Sequence, residues 1–272
     1  MIKAITKTIL ALLAAIMFMA AFIWFKPLPE FPHHEPRNLP WALPDYTQAS
    51  SQINVLQDGR LHITIEHLPL LNIEPKMVSL FYRVLPISTV QLNGEAIPLY
   101  HIFHPTEHGY IEVKEPAPSG IYGMTEGALV SRKEWFGPYN SKGAGRIIKM
   151  NDTTMIAQPE MLGLTFGRIV HTFEAMDYGT RYTVNSIIGS DLPIIGPLIN
   201  YYIRHKMFKP QMLKQWLRHQ VQEVSSLQFF AKPLYEMASP VIDKNQAHYH
   251  FDLGLSAKPH TQPLNSLIKP SH

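Results

Sequence analysis

The segment Leu213-Lys-Gln-Trp-Leu-Arg-His219-Gln-Val-Gln-Glu223-Val-Ser-Ser-Leu227 decides how the rest of the chain is read. Pro210 opens it and Lys232-Pro233 ends it, so it reads as one long helix to about Phe230. Met212, Trp216, Leu227 and Phe230 place an apolar stripe along that helix, and such a stripe needs a core to bury it. His219 and Glu223 are four residues apart and so stand one turn above each other on one face. Alone, an HxxxE pair has two readings. One is a surface ion pair worth a few tenths of a kcal/mol; the other is two ligands converging on a metal ion from a rigid element. Because the pair runs with the apolar stripe, burial is expected, and a buried carboxylate needs a partner that a metal can supply.

Before this helix the period is mostly two rather than 3.6. Residues 60–66 alternate apolar and polar, a half-buried strand. Residues 89–92 and 96–103 read as strands on either side of the turn Asn93-Gly94. Residues 110–113, 127–136, 145–150, 161–173 and 180–188 continue the series, with Asp177-Tyr178-Gly179 as the last turn. Two helical patterns interrupt it: one begins at Pro75 and carries Met77, Leu80, Phe81 and Val84, and the other spans residues 197–206. Many antiparallel strands followed by one long helix predict an α+β fold. A curved antiparallel sheet gripping that helix would enclose a cavity into which His219 and Glu223 face.

Composition narrows the chemistry. The chain has 272 residues and no cysteine, which excludes disulfides, thiol catalysis and cysteine-ligated zinc. Fourteen histidines leave imidazole and carboxylate as the available metal ligands. The net charge is +3 with basic residues scattered, so no nucleic-acid partner is expected. Residues 9–25 are an uninterrupted apolar run ending in Ile-Trp-Phe, flanked by Lys3, Lys7 and Lys26. The reading is an uncleaved signal-anchor over residues 1–26, a transmembrane helix holding the protein to the membrane with its domain on the extracytoplasmic (periplasmic) side; a cleaved signal peptide is the alternative. Six prolines between positions 27 and 44 predict an extended, semi-rigid linker over residues 27–45 carrying a solvated His33-His34. The folded domain is expected over residues 46–256 and a flexible tail over 257–272.

Further ligands have to come from the strands. His104-Pro-Thr-Glu-His108 is an HxxxH in which Pro105 and a strand-like approach argue against helix. One histidine then faces the cavity and the other packs outside, and the residues alone do not say which. Taken together, Tyr100-x-x-Phe-His-Pro-Thr-Glu-His108, the strand ending in Glu134, His171-Thr-Phe-Glu, Tyr178-Gly-Thr-Arg-Tyr, His219-x-x-x-Glu223 and Pro233-Leu-Tyr resemble the diacetylphloroglucinol hydrolase and phloretin hydrolase family over residues 60–236. The resemblance implies a helix-grip (Bet v 1/START-like) fold and a catalytic Zn²⁺ held by His108, Glu134, His219 and Glu223. His104 is the alternative to His108, and Glu126 the alternative to Glu134. It further implies that Tyr100 contacts substrate, that His171 donates or accepts a proton in the cavity with His104 nearby, and that Tyr178 adds a second hydroxyl. The implied reaction is hydrolysis of the carbon–carbon bond between an acyl group and a phenol ring, in a small hydrophobic aromatic ketone. The chain departs from the family pattern at Phe103, where tryptophan is usual, and at Glu107, where aspartate is usual. A membrane-tethered, non-catalytic binding module for a lipid or other apolar molecule is the competing expectation.

Overall fold

Strand β1 (Ser50–Val55) pairs antiparallel with β2 (Leu61–Glu66), where Leu61, Ile63 and Ile65 are buried and the residues between them face outward. That is the period-two pattern of a sheet with one covered face. A computed structural model supplies this description, for residues 18, 24–28, 30–161 and 163–256. After the short β3 (Leu70–Leu71), Pro75 starts helix α1 (Pro75–Val84), which buries Met77, Val78, Phe81, Tyr82 and Val84. Strands β4 (Ser88–Leu92) and β5 (Glu95–Pro98) form a hairpin whose turn residues Asn93 and Gly94 both take positive φ, 53° and 84°. Two positive-φ residues match the strand twist of a tight hairpin.

The expected strand through Phe103 stops at Pro98. Residues Leu99–Phe103 form instead a short, fully buried helix α2. An apolar run buried on all sides carries no period, so alternation could not distinguish the two.

The main sheet then fills in: β6 (His108–Glu115), β7 (Leu129–Phe136), β8 (Tyr139–Asn151), β9 (Thr154–Met161), β10 (Leu164–Thr165), β11 (Gly167–Met176) and β12 (Gly179–Ile188). The single strand expected over 161–173 is broken, because Leu164 folds back onto Met161 and β11 starts anew at Gly167. The ten-stranded sheet runs β1-β2-β12-β11-β9-β8-β7-β6, with β10 on β9 and β3 on β12, and every pairing is antiparallel. Bulges in β6 and β8 bend it.

Helix α3 (Gly196–Tyr202) and a π-helical turn lead to α4 (Pro210–Ala238), the long C-terminal helix. It runs past Pro233, where an end was expected, since Leu234 and Ala238 are fully buried and packing outweighs the lost backbone bond. Strand β13 (Tyr249–Leu255) pairs parallel with β4, making a small second sheet with β5. The fold is therefore α+β: a large antiparallel sheet with a C-terminal helix.

The described residues of the proline-rich segment form neither helix nor strand, but the segment is not a free linker. Leu39 and Trp41 are buried, and the Trp41 ring stacks on Phe229 of α4 at 5.2 Å and 7°. Arg37 N–H donates to Pro105 O at 2.9 Å, and the His33 ring lies flat on Trp135 of β7 at 4.1 Å. Proline spacing sets the backbone; the aromatic and apolar side chains between the prolines glue it to the domain, which begins well before residue 46. The expected spanning segment at residues 1–26 lies largely outside the described residues, as does the tail 257–272; no described helix is long and apolar enough to cross a membrane.

Candidate metal centre

Three elements meet at one point. Strand β6 begins with His108; β7 sets Glu134 opposite it in register; α4 brings His219 and Glu223, four residues apart. All four are buried.

Hydrogen bonds fix the histidine tautomers. His108 Nδ1 lies 2.7 Å from the carbonyl of Tyr100, an atom that can only accept, so this nitrogen carries the proton. His219 Nδ1 donates in the same way to the carboxylate of Glu107, at 3.0 Å. In their neutral forms both rings therefore present a bare Nε2, and a carbonyl or carboxylate behind the ring is the usual support of a metal-ligating histidine. The two Nε2 atoms are 3.2 Å apart, and Glu223 Oε2 lies 3.0 Å from the first and 3.5 Å from the second. Three acceptors thus converge with nothing between them but what a proton or cation can supply. Ligands at about 2.0–2.1 Å around a tetrahedral ion are separated by about 3.3 Å, and the three observed separations bracket that value.

Electrostatics agree with this picture. Burial disfavours charge on Glu223, yet bonds from His108 and His219 outweigh it and hold the carboxyl well below its ordinary range. Burial likewise opposes a proton on His219, but Glu107 and Glu223 overcome it and raise the imidazole to about 9. His108 is lowered, by burial first, with the neighbouring His219 adding to the effect. Without an ion, the centre thus holds one proton on His219 where a cation would sit. Glu107 is kept ionised against its burial by His219, the Gly137 N–H at 2.7 Å and Arg218.

Glu134 stands outside the group of three, whose atoms lie within 4.8 Å of one another. Its Oε1 accepts from the Tyr100 hydroxyl and from Arg132 Nε, the latter at 2.9 Å. Its Oε2 is buried and has no hydrogen-bond partner among the described residues. That orphaned oxygen, on the residue paired with His108, is the further acceptor of the region, but as placed it lies outside the three-atom group. Two imidazoles with carboxylates are a donor set that could take a divalent transition metal.

The remaining candidates sort themselves by place. His104 Nδ1 accepts the backbone N–H groups of Glu107 and Thr106 at 3.2 and 3.4 Å, which leaves its Nε2–H to donate to Gln222 Oε1 at 3.4 Å. With one nitrogen taken and the other protonated, it shapes the turn. It also forms a second possible cluster with Glu107 and His219, through His219 Nδ1, the nitrogen that carries the proton. Tyr100 is buried, its hydroxyl donates to Glu134 and its ring stacks on His108 at 3.6 Å. Glu126 is exposed on the rim of a surface groove between α1 and the end of α4, so it does not stand in for Glu134. Tyr178 sits in the exposed turn between β11 and β12, away from the interior, because the turn rather than the strand holds it.

His171 does face inward, beside a second buried cluster. Its Nδ1 is 2.7 Å from the Tyr182 hydroxyl, which is 2.5 Å from that of Tyr82. Burial lowers His171 to about 4 and pushes both tyrosines up, so all three are neutral near pH 7. His67 stacks near Tyr182 with neither ring nitrogen bonded, and burial lowers it to about 3. Arg132, two residues before Glu134 on the same face of β7, keeps 34% of its side chain accessible while its Nε bonds the buried Glu134. Glu107, Arg132 and Tyr182 were not singled out from sequence; strand alternation from Glu134 would have found Arg132.

No protein-family model matches the chain, and no curated protein does. Among solved structures, similarity extends to protein Ms6760 from Mycobacterium smegmatis (17% identity, TM-score 0.35, covering 67% of this chain and 94% of that one). It extends also to Ara h 8.0201 (12% identity, TM-score 0.36, 66% and 98%) and to the KanY protein ms6282 (10% identity, TM-score 0.39, 70% and 99%). Likeness at this level says nothing of a shared activity.

Proposed function

We propose that this chain is a zinc-dependent hydrolase that cleaves the carbon–carbon bond between an acyl group and a phenol ring, inside a helix-grip (Bet v 1/START-like) hollow. The observation that carries the reading is the convergence of His108 Nε2, His219 Nε2 and Glu223 Oε2 at tetrahedral-edge separations of 3.2, 3.0 and 3.5 Å. Those residues would hold the ion, with Glu134 Oε2 as the further donor. A bound zinc supplies Lewis acidity toward a carbonyl oxygen and a lowered pKa for coordinated water.

The chain's own groups do the rest. Arg132, whose side chain is 34% accessible beside Glu134, would orient a phenolate or enolate oxygen. His171 is neutral, so its Nε2–H would pass a proton to the departing ring carbon, with the Tyr182 hydroxyl bonded at Nδ1 and Tyr82 behind it; the proton released by the water that adds to the acyl carbon restores the chain. Glu107 holds the His219 ring in the tautomer that leaves Nε2 free. The segments shared with the acyl-phenol hydrolases support the substrate class.

Metal analysis of the purified full chain is the first test, expected to give one zinc per chain, lost in His219→Ala. Turnover of a diacylated or monoacylated trihydroxybenzene to the deacylated ring and free acid is the second. Substoichiometric zinc in the unmodified protein would end the metal reading. Full zinc with no turnover, and an apolar molecule recovered from the hollow, would instead favour a membrane-tethered binding module.

A further inference from the structure

An exposed apolar patch lies in the stretch between β12 and α4. Ile194 is 90% exposed and Leu198 72%, with Leu192, Ile195 and Tyr201 also exposed beside them. Ile194 also takes a φ of 67°, a region that β-branched residues rarely occupy. Five large apolar side chains within ten residues are not the scattered surface apolars of an ordinary domain.

Two observations say what covers the patch. Trp24 packs on it, its ring 5.9 Å from both Tyr201 and Tyr202, and Trp24 closes the apolar run of residues 9–25. Phe25 beside it is 78% exposed. The patch also carries a basic fringe. Lys26 and Lys206 flank it, and Asp191 is the one acidic residue of the stretch 191–209, while Arg204 packs against Gly59 and Lys209 lies over the Tyr139 ring. Aromatic rings at the end of an apolar run, exposed aliphatics and a cationic border are the parts of an interfacial membrane contact.

We infer that residues 192–201, together with Trp24 and Phe25, form a docking face that inserts into the surface of a bilayer containing anionic lipid. The face holds the domain down against the membrane rather than letting it swing from a tether. This inference stands on the patch alone and is independent of the metal reading.

The absence of cysteine gives a clean test. Leu198→Cys and Ile194→Cys, both at exposed positions, are each labelled with an environment-sensitive fluorophore in the full chain. The protein is reconstituted into phosphatidylcholine vesicles with phosphatidylserine. Ile121→Cys, at an exposed loop position outside the patch, is the control. Doxyl-labelled lipid is expected to quench the labels at 198 and 194 at least twofold more than the label at 121, with iodide in the reverse order. Iodide quenching at 198 and 194 equal to that at 121 would overturn the inference. So would labels at both positions that neither quencher reaches, since the N-terminal run or a second copy would then cover the face.

Discussion

Two groups of histidines lie under the same sheet, and only one of them contains a raised imidazole. At the β6–β7 end, His108 and His219 sit among Glu107, Glu134 and Glu223, and His219 is pushed up to about 9. At the β11–β12 end, His171 and His67 sit among tyrosines, and burial takes them down to about 4 and 3. Both groups have lost water. What differs is whether carboxylates came with them, because a desolvated imidazole is neutral unless an anion within reach repays the cost of its charge. The first group could therefore hold a cation; the second is a neutral hydrogen-bonding chain.

The largest effect that would break this contrast is on metal content. Glu223→Ala removes one of the three converging atoms and leaves two facing imidazoles. Zinc stoichiometry by elemental analysis is expected to fall from one to near zero, while His171→Asn leaves it at one. If both variants lose zinc equally, the two groups are not distinct in function.

The next effect falls on turnover. With zinc retained, His171→Asn and Tyr182→Phe are each expected to slow the hydrolysis by about 10²–10⁴-fold, the range of a lost acid–base partner. Turnover unchanged in both would remove the proton chain from the mechanism. Behind the ligands, Glu107→Gln is expected to weaken zinc about 10–100-fold in a competition titration with a chelator, the usual cost of losing a support of a ligating imidazole.

The contrast also has a pH signature with opposite signs. A raised His219 stabilises the metal-free fold below the unfolded value of 6.5, and that stability is lost as pH rises toward about 9. The depressed His67 and His171 contribute stability above 6.5 that is lost as pH falls toward 3 to 4. Metal-free protein should accordingly lose thermal stability on both flanks. Saturating zinc should abolish the alkaline loss alone, because the ion takes the place of the proton on His219. An alkaline limb that persists with zinc bound would place the titrating group elsewhere.

How much of this was legible in the sequence depends on whether one element carried the information. His219 and Glu223 share a helix, so a spacing of four and an apolar stripe were enough to bury them together. Glu134 was not orientable, because both faces of β7 are covered: Glu134 and Phe136 face the helix, while Trp135 lies under the His33 ring. Alternation fails when neither face meets water. Glu107 read as a departure from a family pattern, and its place behind His219 needed a contact across 112 residues. Tyr178 was taken from a turn, whereas the inward tyrosine is Tyr182, four residues on, where Thr180 and Tyr182 point to the core. The proline-rich stretch announced that it forms no helix but not that Trp41 would stack on Phe229, since proline spacing constrains the backbone and not what it rests on.

That strap supplies the smallest effect and the finest division between the two groups. His34 Nε2 lies 2.5 Å from the carbonyl of His108, on the outer side of the strand from the converging atoms. The contact touches the backbone of a ligand residue, not its ring, whose orientation is fixed by Tyr100 O and by stacking on the Tyr100 ring. His34→Ala should therefore cost about 1 kcal/mol of stability, the net worth of one hydrogen bond, in a denaturant titration of the zinc-loaded protein. Zinc affinity should stay within about threefold, because the bonds that set the His108 tautomer are untouched. A tenfold loss of affinity would mean that the strap, and not the strand alone, sets the position of the ligand, and would extend the cation site through the sheet to its outer face.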